Sequence, residues 1–155
     1  FGDRFFMFKN GSLWEQNVNP IRNSIFGERY KSKIRFYAHG GLPKMMKNFI
    51  GIELDSTDVW AAPATGDIRI FPTIRKPNGM VSRLKKGMFK FIQNKFYADF
   101  LRNANDPRFE DELQALSFGA NLQGPLMEIT LENLNDNEVR LLSVDVIFTK
   151  QNFTA

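Results

Sequence analysis

Along most of this chain polar and apolar residues alternate with a period of two, the signature of half-buried β-strands. Residues 4 to 9 (RFFMFK) and 12 to 16 (SLWEQ) flank Asn10-Gly11. A type I′ turn needs φ > 0 at both central residues, so Asn-Gly between two such runs predicts an opening hairpin. Residues 17 to 24 are polar and contain Pro20, which predicts a loop. In residues 31 to 39, Ile34, Phe36 and Ala38 alternate with Lys33, Arg35 and Tyr37. In residues 48 to 56 the pattern sets Ile50, Ile52 and Leu54 on one face. Residues 67 to 75 place Ile68, Ile70 and Ile74 together with Pro72, and a proline that cannot donate to a ladder predicts an edge strand or a bulge.

The second half repeats the pattern with one interruption. Phe89 and Phe91 alternate with lysine, and residues 96 to 101 (FYADFL) read as a partner strand after a turn at Gln93-Asn94. The alternation predicts that Phe89 and Phe91 both face the core. Residues 107 to 117 read as the one helix: Pro107 is early, acidic residues fill the first turn, Leu113 and Leu116 form the apolar side, and Gly119 stops it. Residues 125 to 133 point Met127, Ile129 and Leu131 inward and Glu128, Thr130 and Glu132 outward. Residues 138 to 150 return with Leu142, Val144, Val146 and Phe148 inward, which predicts a closing hairpin across residues 133 to 137. The sum is a mainly β, single-domain chain of antiparallel sheets, sandwich- or blade-like, with one short helix near 107–117. No βαβ alternation is present, which argues against a dinucleotide-binding fold.

Composition adds two features. The chain has 155 residues, one domain's worth, with 16 Phe against 2 Trp and 3 Tyr, an excess that suits a core or an interface. It has no cysteine, so disulfides and thiolate metal sites are excluded. The net charge of +4 is unevenly spread. Residues 1 to 98 carry 17 Lys/Arg against 7 Asp/Glu, and residues 99 to 155 carry 4 against 10. The sharpest basic stretch holds Arg75, Lys76, Arg83, Lys85, Lys86, Lys90 and Lys95 without an acid. It is the candidate surface for a polyanion or an inter-subunit contact. Lysines interleaved with Phe89 and Phe91 also suit a single-stranded nucleic acid, and a strand with its rings inward predicts the same pattern. The opposed charges of the two halves suit either head-to-tail contact between copies or pairing within one fold.

Catalytic candidates are sparse. His39 is the only histidine and has no cysteine or nucleophile-elbow serine to act on. Glu53, Asp55 and Asp58 are carboxylates close in sequence, and Glu110, Asp111 and Glu112 begin the predicted helix, where the dipole explains them. Residues 133 to 138 (NLNDNE) have a calcium-loop flavour but lack its glycine and its glutamate spacing. Asn10-Gly11-Ser12 and Asn152-Phe153-Thr154 are glycosylation sequons, and the first doubles as a turn. These residues predict no reaction and no cofactor.

The segments FKNGSLWEQN, NSIFGERYKSKIRF and PKMMKNFIGIELDS, in that order, resemble a pattern in the tail nozzle, or muzzle, proteins of crAss-like short-tailed phages. The corresponding positions are Trp14 and Asn17, Asn23 to Gly27, and Lys47 to Glu53. Ser82-Arg83-Leu84 with Gly87, Phe96-Tyr97-Ala98 with Leu101-Arg102, and the strands LQGPLMEITL and VDVIFTKQ continue the likeness to the end of the chain. Gln16 departs from it, standing where the pattern has a histidine. The resemblance implies a structural virion protein, not an enzyme, in a ring-shaped homo-oligomer at the phage tail tip. Such a ring closes or narrows the DNA exit channel, is assembled in the host cytoplasm, and touches other tail proteins and ejected DNA. It also implies that Phe1 is internal to a longer parent chain, of which this is the C-terminal part. The alternative from composition is a nucleic-acid-binding module using residues 75–95.

Overall fold

The computed structural model describes residues 3–16, 18–42, 44–62, 68–71 (main chain only) and 79–151. The strands are β1 (Phe5–Lys9), β2 (Ser12–Gln16), β3 (Ser24–Ile25), β4 (Glu28–Arg29), β5 (Ser32–Ala38), β6 (Lys47–Ser56), β7 (Ile68–Phe71), β8 (Val81–Ser82), β9 (Lys90–Ile92), β10 (Lys95–Asp99), β11 (Gln123–Gly124), β12 (Leu126–Asn133) and β13 (Leu141–Lys150). A single helix, α1 (Glu112–Phe118), and a 3-10 turn at Lys86–Met88 complete the order. All the pairings are antiparallel, and the fold is mainly β, as the alternation predicts.

Two sheets enclose the core. In the first, β6 is central: β13 runs along one side, and β10 and β11 share the other, with β9 outside β10. In the second the order is β5-β12-β7-β8. Phe49, Ile52, Leu54 and Ala98 from the first sheet meet Met127, Ile129 and Leu131 from the second, with Trp60, Leu84 and Leu122 closing the ends. Ile52, Leu54, Ala98, Met127, Ile129 and Leu131, together with Leu84 and Leu122, are at most 2% exposed, and Phe49 and Trp60 are also buried. Hydrophobic burial here is the main source of stability.

Several expectations are corrected. The closing hairpin does not form: β12 and β13 lie in different sheets, β12 between β5 and β7 and β13 against β6. Both strands have the right inward residues, but a period of two says which face is buried and not which strand lies alongside. Ile50 is exposed rather than inward, because a register shift between Ile147 and Phe148 opposite it makes a bulge that reverses the phase of β6. Lys47 and Phe49 are buried before the bulge, Ile52 and Leu54 after it. Gly51 sits at the bulge, where a Cβ would come 2.8 Å from Ala98 O. A second shift expels Leu142, 74% exposed, and Leu141 packs on the core instead.

The strand at β7 is flanked on both sides, by β12 and β8, so it is not an edge. Its described part is Ile68–Phe71; Pro72 and Ile74 lie outside the described residues. The helix begins at Glu112 rather than 107, where Asp111 caps it by accepting from Leu113 N at 3.1 Å. Its buried residues are Ala115 and Leu116, and Leu113 faces solvent. Gly119 does end the helix, through close approach: a Cβ there would come 2.9 Å from Asn103 O.

The two short hairpins before β5 stand apart from the core. Asn10 and Gly11 adopt the positive φ of a type I′ turn, and so do Phe26 and Gly27 between β3 and β4. Trp14 stacks edge-on against Phe26, with ring centroids 6.0 Å apart, and Lys9 lies over the Phe26 ring. Among the described residues none before Ile34 joins the core cluster.

Candidate functional site

The basic stretch is placed residue by residue. Arg83 Nε donates to Glu112 Oε1 of α1 at 2.9 Å. Lys86, in the 3-10 turn, lies 3.9 Å from Asp58. Lys95 donates to Glu53 on β6 at 2.8 Å. That carboxylate, first through the hydrogen bond and then through its charge, raises the lysine's pKa. Lys85 and Lys90 have exposed side chains. Arg75 and Lys76 lie outside the described residues. Among the described residues, Arg83, Lys86 and Lys95 therefore engage three separate elements.

The charge asymmetry is largely met within the fold. Arg22 pairs with Glu138, Arg29 with Asp136, Lys31 and Lys33 with Glu132, and Arg35 with Glu128. Each joins the basic first part to the acidic last part. Exposed pairs of this kind contribute about 0–1 kcal/mol apiece. The Arg22 and Arg29 pairs act in placement: they hold the β3–β4 region on the loop after β12, where Arg22 N also donates to Asp136 O at 2.9 Å.

The carboxylates singled out by sequence are dispersed. Glu53 and Asp55 share the outer face of β6, opposite Asp145 and Ser143 of β13. Asp111 is consumed as a cap and Glu112 by Arg83. His39 is exposed at the end of β5, where its Nδ1 accepts from Gly41 N at 3.2 Å and supports a turn. Among the described residues no group of three or more His, Cys, Asp or Glu is arranged to hold a metal ion, and no helix is long and apolar enough to cross a membrane.

One polar cleft of about 540 Å³ opens where the loops after β4, β6 and β12 meet the 3-10 turn. Sequence reasoning did not assemble it. Asp58 Oδ2 is its centre and accepts from Asn133 Nδ2 and Asn135 Nδ2, both at 2.9 Å. Burial raises the Asp58 pKa, but these bonds, with Val59 N and Lys86, outweigh it and hold the carboxyl below its usual value. Glu132 receives Lys31 at 3.1 Å, and Arg29 Nη2 donates to Leu134 O at 2.6 Å. The signal was present in residues 133 to 137: Asn133 Oδ1 accepts from Asn135 N and Asn135 Oδ1 from Asn137 N, each at 2.9 Å. Alternate asparagines thus build successive Asx turns rather than a calcium loop. Among the described residues no serine, threonine, cysteine or histidine lines the cleft, and its three cations face three carboxylates. The arrangement offers donors and acceptors that already satisfy one another, and it positions no nucleophile.

In comparisons with known proteins, no family model matches this chain, and none of the curated proteins does.

Proposed function

We propose that this chain is a non-enzymatic structural component of a phage tail tip, a part of a nozzle or muzzle that closes or narrows the DNA exit channel. The observation that carries the reading is where its apolar surface lies. Among the described residues, eight of the eighteen exposed large hydrophobics fall between Phe5 and Tyr30, on the two hairpins outside the core and the loop residues beside them. Exposed apolar residues gathered on a projecting element mark an assembly contact. The ordered sequence likeness to muzzle proteins supplies the kind of assembly: a ring of copies in the virion, in contact with the rest of a longer parent chain and with other tail proteins. The polar groups of the cleft, and Arg83, Lys86 and Lys95 of the basic stretch, are paired within the fold, which agrees with a structural role.

The test is mass spectrometry of purified virions, with antibodies to this chain used to locate it. Peptides from residues 3–151 within one tail protein, and label at the tail tip, are the expected result. Absence from virions, or a hydrolytic activity of the purified chain that needs Glu53, Asp55 or His39, overturns the reading.

A second reading, a nucleic-acid-binding module, is favoured by one observation. Phe91 is 62% exposed, next to Lys90, and was expected in the core. Titration with single-stranded DNA at two salt concentrations separates the readings. Binding that survives raised salt and is lost in Phe91→Ala supports the module; weak binding that collapses with salt supports the structural role.

A further inference from the structure

We propose that the outer edge of β13 pairs antiparallel with β13 of a second copy of this chain, so that the first sheets of the two copies run on as one. Among the described residues β13 pairs with β6 alone. None of its ten residues is buried, against six of the ten in β6. Val144, Val146 and Phe148 pack on the core and are still only half-buried, so the core lies open along this edge. At one end of the strand Gln151 N donates to Met46 O at 3.1 Å, and at the other Arg140 O accepts from Thr57 N at 3.0 Å. Alternate residues of an antiparallel strand bond to the same neighbour, so Ser143, Asp145, Ile147 and Thr149 turn their main-chain groups toward β6. Those of Val144, Val146, Phe148 and Lys150 alternate to the outer edge. From Ser143 to Thr149 the strand has no proline and one charged residue, Asp145. It carries little of what keeps an edge from accepting a further strand.

The occupant follows from the sequence of the strand, which complements itself about Ile147. A two-fold axis there sets Val146 opposite Phe148 of the second copy on the core face, and Val144 against the stem of Lys150. On the outer face it sets Ile147 opposite its own counterpart, Asp145 opposite Thr149 and Ser143 opposite Gln151. Apolar side chains thus meet apolar ones and acceptors meet donors, and the symmetry makes each pair away from the axis twice. Ile147 is also the midpoint of residues 143–151, so this axis uses the whole stretch beyond the irregularity at Leu142. An axis at Val146 sets Asp145 opposite Ile147, one at Asp145 sets two carboxylates face to face, and one at Phe148 shortens the ladder. The pairing rests on this edge and not on the tail reading, so either stands without the other.

The test is sedimentation of the full chain over a wide concentration range, where a monomer–dimer equilibrium is expected. Ile147 is 37% exposed on the outer face, so Ile147→Lys leaves the core untouched. It brings two like charges together at the axis and should weaken association about tenfold or more at low salt, and less at high salt. Val146→Pro removes one outward donor from each copy and leaves the bonds to β6 in place, and it should also weaken association about tenfold or more. Val146→Thr keeps the donor and the branched shape and should stay within a few-fold of the parent. The chain has no cysteine, so single thiols read the register. Residues that face each other without sharing main-chain bonds bring their side chains closest, within reach of a disulfide. Ile147→Cys should therefore cross-link to itself on oxidation. Asp145→Cys and Thr149→Cys should not do so singly, and a mixture of the two should. A monomer at every concentration overturns the pairing and leaves the edge to a strand of different sequence. An Ile147→Lys variant that associates as tightly as the parent, or self-cross-linking strongest at Asp145→Cys or Thr149→Cys, overturns it too. Should the proline variant misfold, Ile147→Lys and the cysteine series decide.

Discussion

Lys47, the first residue of β6, donates to the carbonyl of Pro125, 2.9 Å away across the gap between the two sheets. The same ammonium donates to Leu42 O at 2.5 Å and Met45 O at 2.8 Å, so its three donors are met by three main-chain carbonyls. The side chain is fully buried. A cation removed from water is tolerated because every proton finds an acceptor. Lys47 thus ties the turn before β6 to the connection between β11 and β12.

Replacing it should show this. Lys47→Met keeps the volume but strands the carbonyls, and it should cost roughly 3 kcal/mol in urea unfolding. Burial, with a smaller part from Lys150, lowers the Lys47 pKa from the usual 10.5. The unfolded chain then binds the proton more tightly, so this group's share of stability rises with pH toward that value. The gap between parent and variant should widen in mildly alkaline buffer; a gap that does not move with pH removes the electrostatic part of the account.

Asp106 organises the segment around α1. Its Oδ1 accepts from Arg108 N and Nε, both at 3.0 Å, and its Oδ2 from Arg108 Nη2 at 2.8 Å and Ala120 N at 2.7 Å. These bonds, led by the Arg108 side chain, hold the carboxyl well below the ordinary carboxylate value. A depressed folded pKa gives stability that is complete above the unfolded value of 3.8 and is lost as the pH falls through the folded one. Asp106→Asn should therefore be destabilised most at neutral pH, with the difference closing in acid. Acid melts of the two proteins check it, and parallel curves at all pH values would falsify the assignment.

Gly40 has φ +58, and a Cβ there would overlap the ring of Phe148 from β13. Gly40→Ala combines left-handed strain with displacement of a ring that packs on the core, and should cost about 2–3 kcal/mol. Gly41, with φ +72 and open space around it, carries the strain alone, so Gly41→Ala should cost about 1 kcal/mol. Thermal melts that rank Gly41→Ala as the worse variant contradict the close approach.

Phe89 and Phe91 separate by burial. Phe89 packs on the core cluster and Phe89→Ala should cost about 2 kcal/mol. Phe91 touches Phe96, with centroids 4.9 Å apart, and is otherwise exposed. Phe91→Ala should cost about 1 kcal/mol or less. Equal losses in urea unfolding would show that the edge hairpin is more enclosed than its exposure indicates.

Much of this fold was determined by the sequence alone, because the determinants are local. Asn10-Gly11 and Gln93-Asn94 supply residues that accept positive φ, and the turns form there. Ile34 and Phe36, Met127, Ile129 and Leu131, and Val144, Val146 and Phe148 face the core because side chains alternate along any strand. Tertiary structure decided what depends on residues distant in the chain. A period of two says nothing about the neighbour, so β13 joined β6 and not β12. A bulge that depends on its partner strand turned Ile50 and Leu142 outward. Phe91 obeyed the alternation but lies on the outermost strand of its sheet, with the Phe96 ring against it and 62% of it exposed. The cleft around Asp58 draws on loops more than seventy residues apart, which no local pattern can bring together. The basic and acidic halves, separate in sequence, meet in space because attraction between opposite charges acts on distance through the fold and not along the chain.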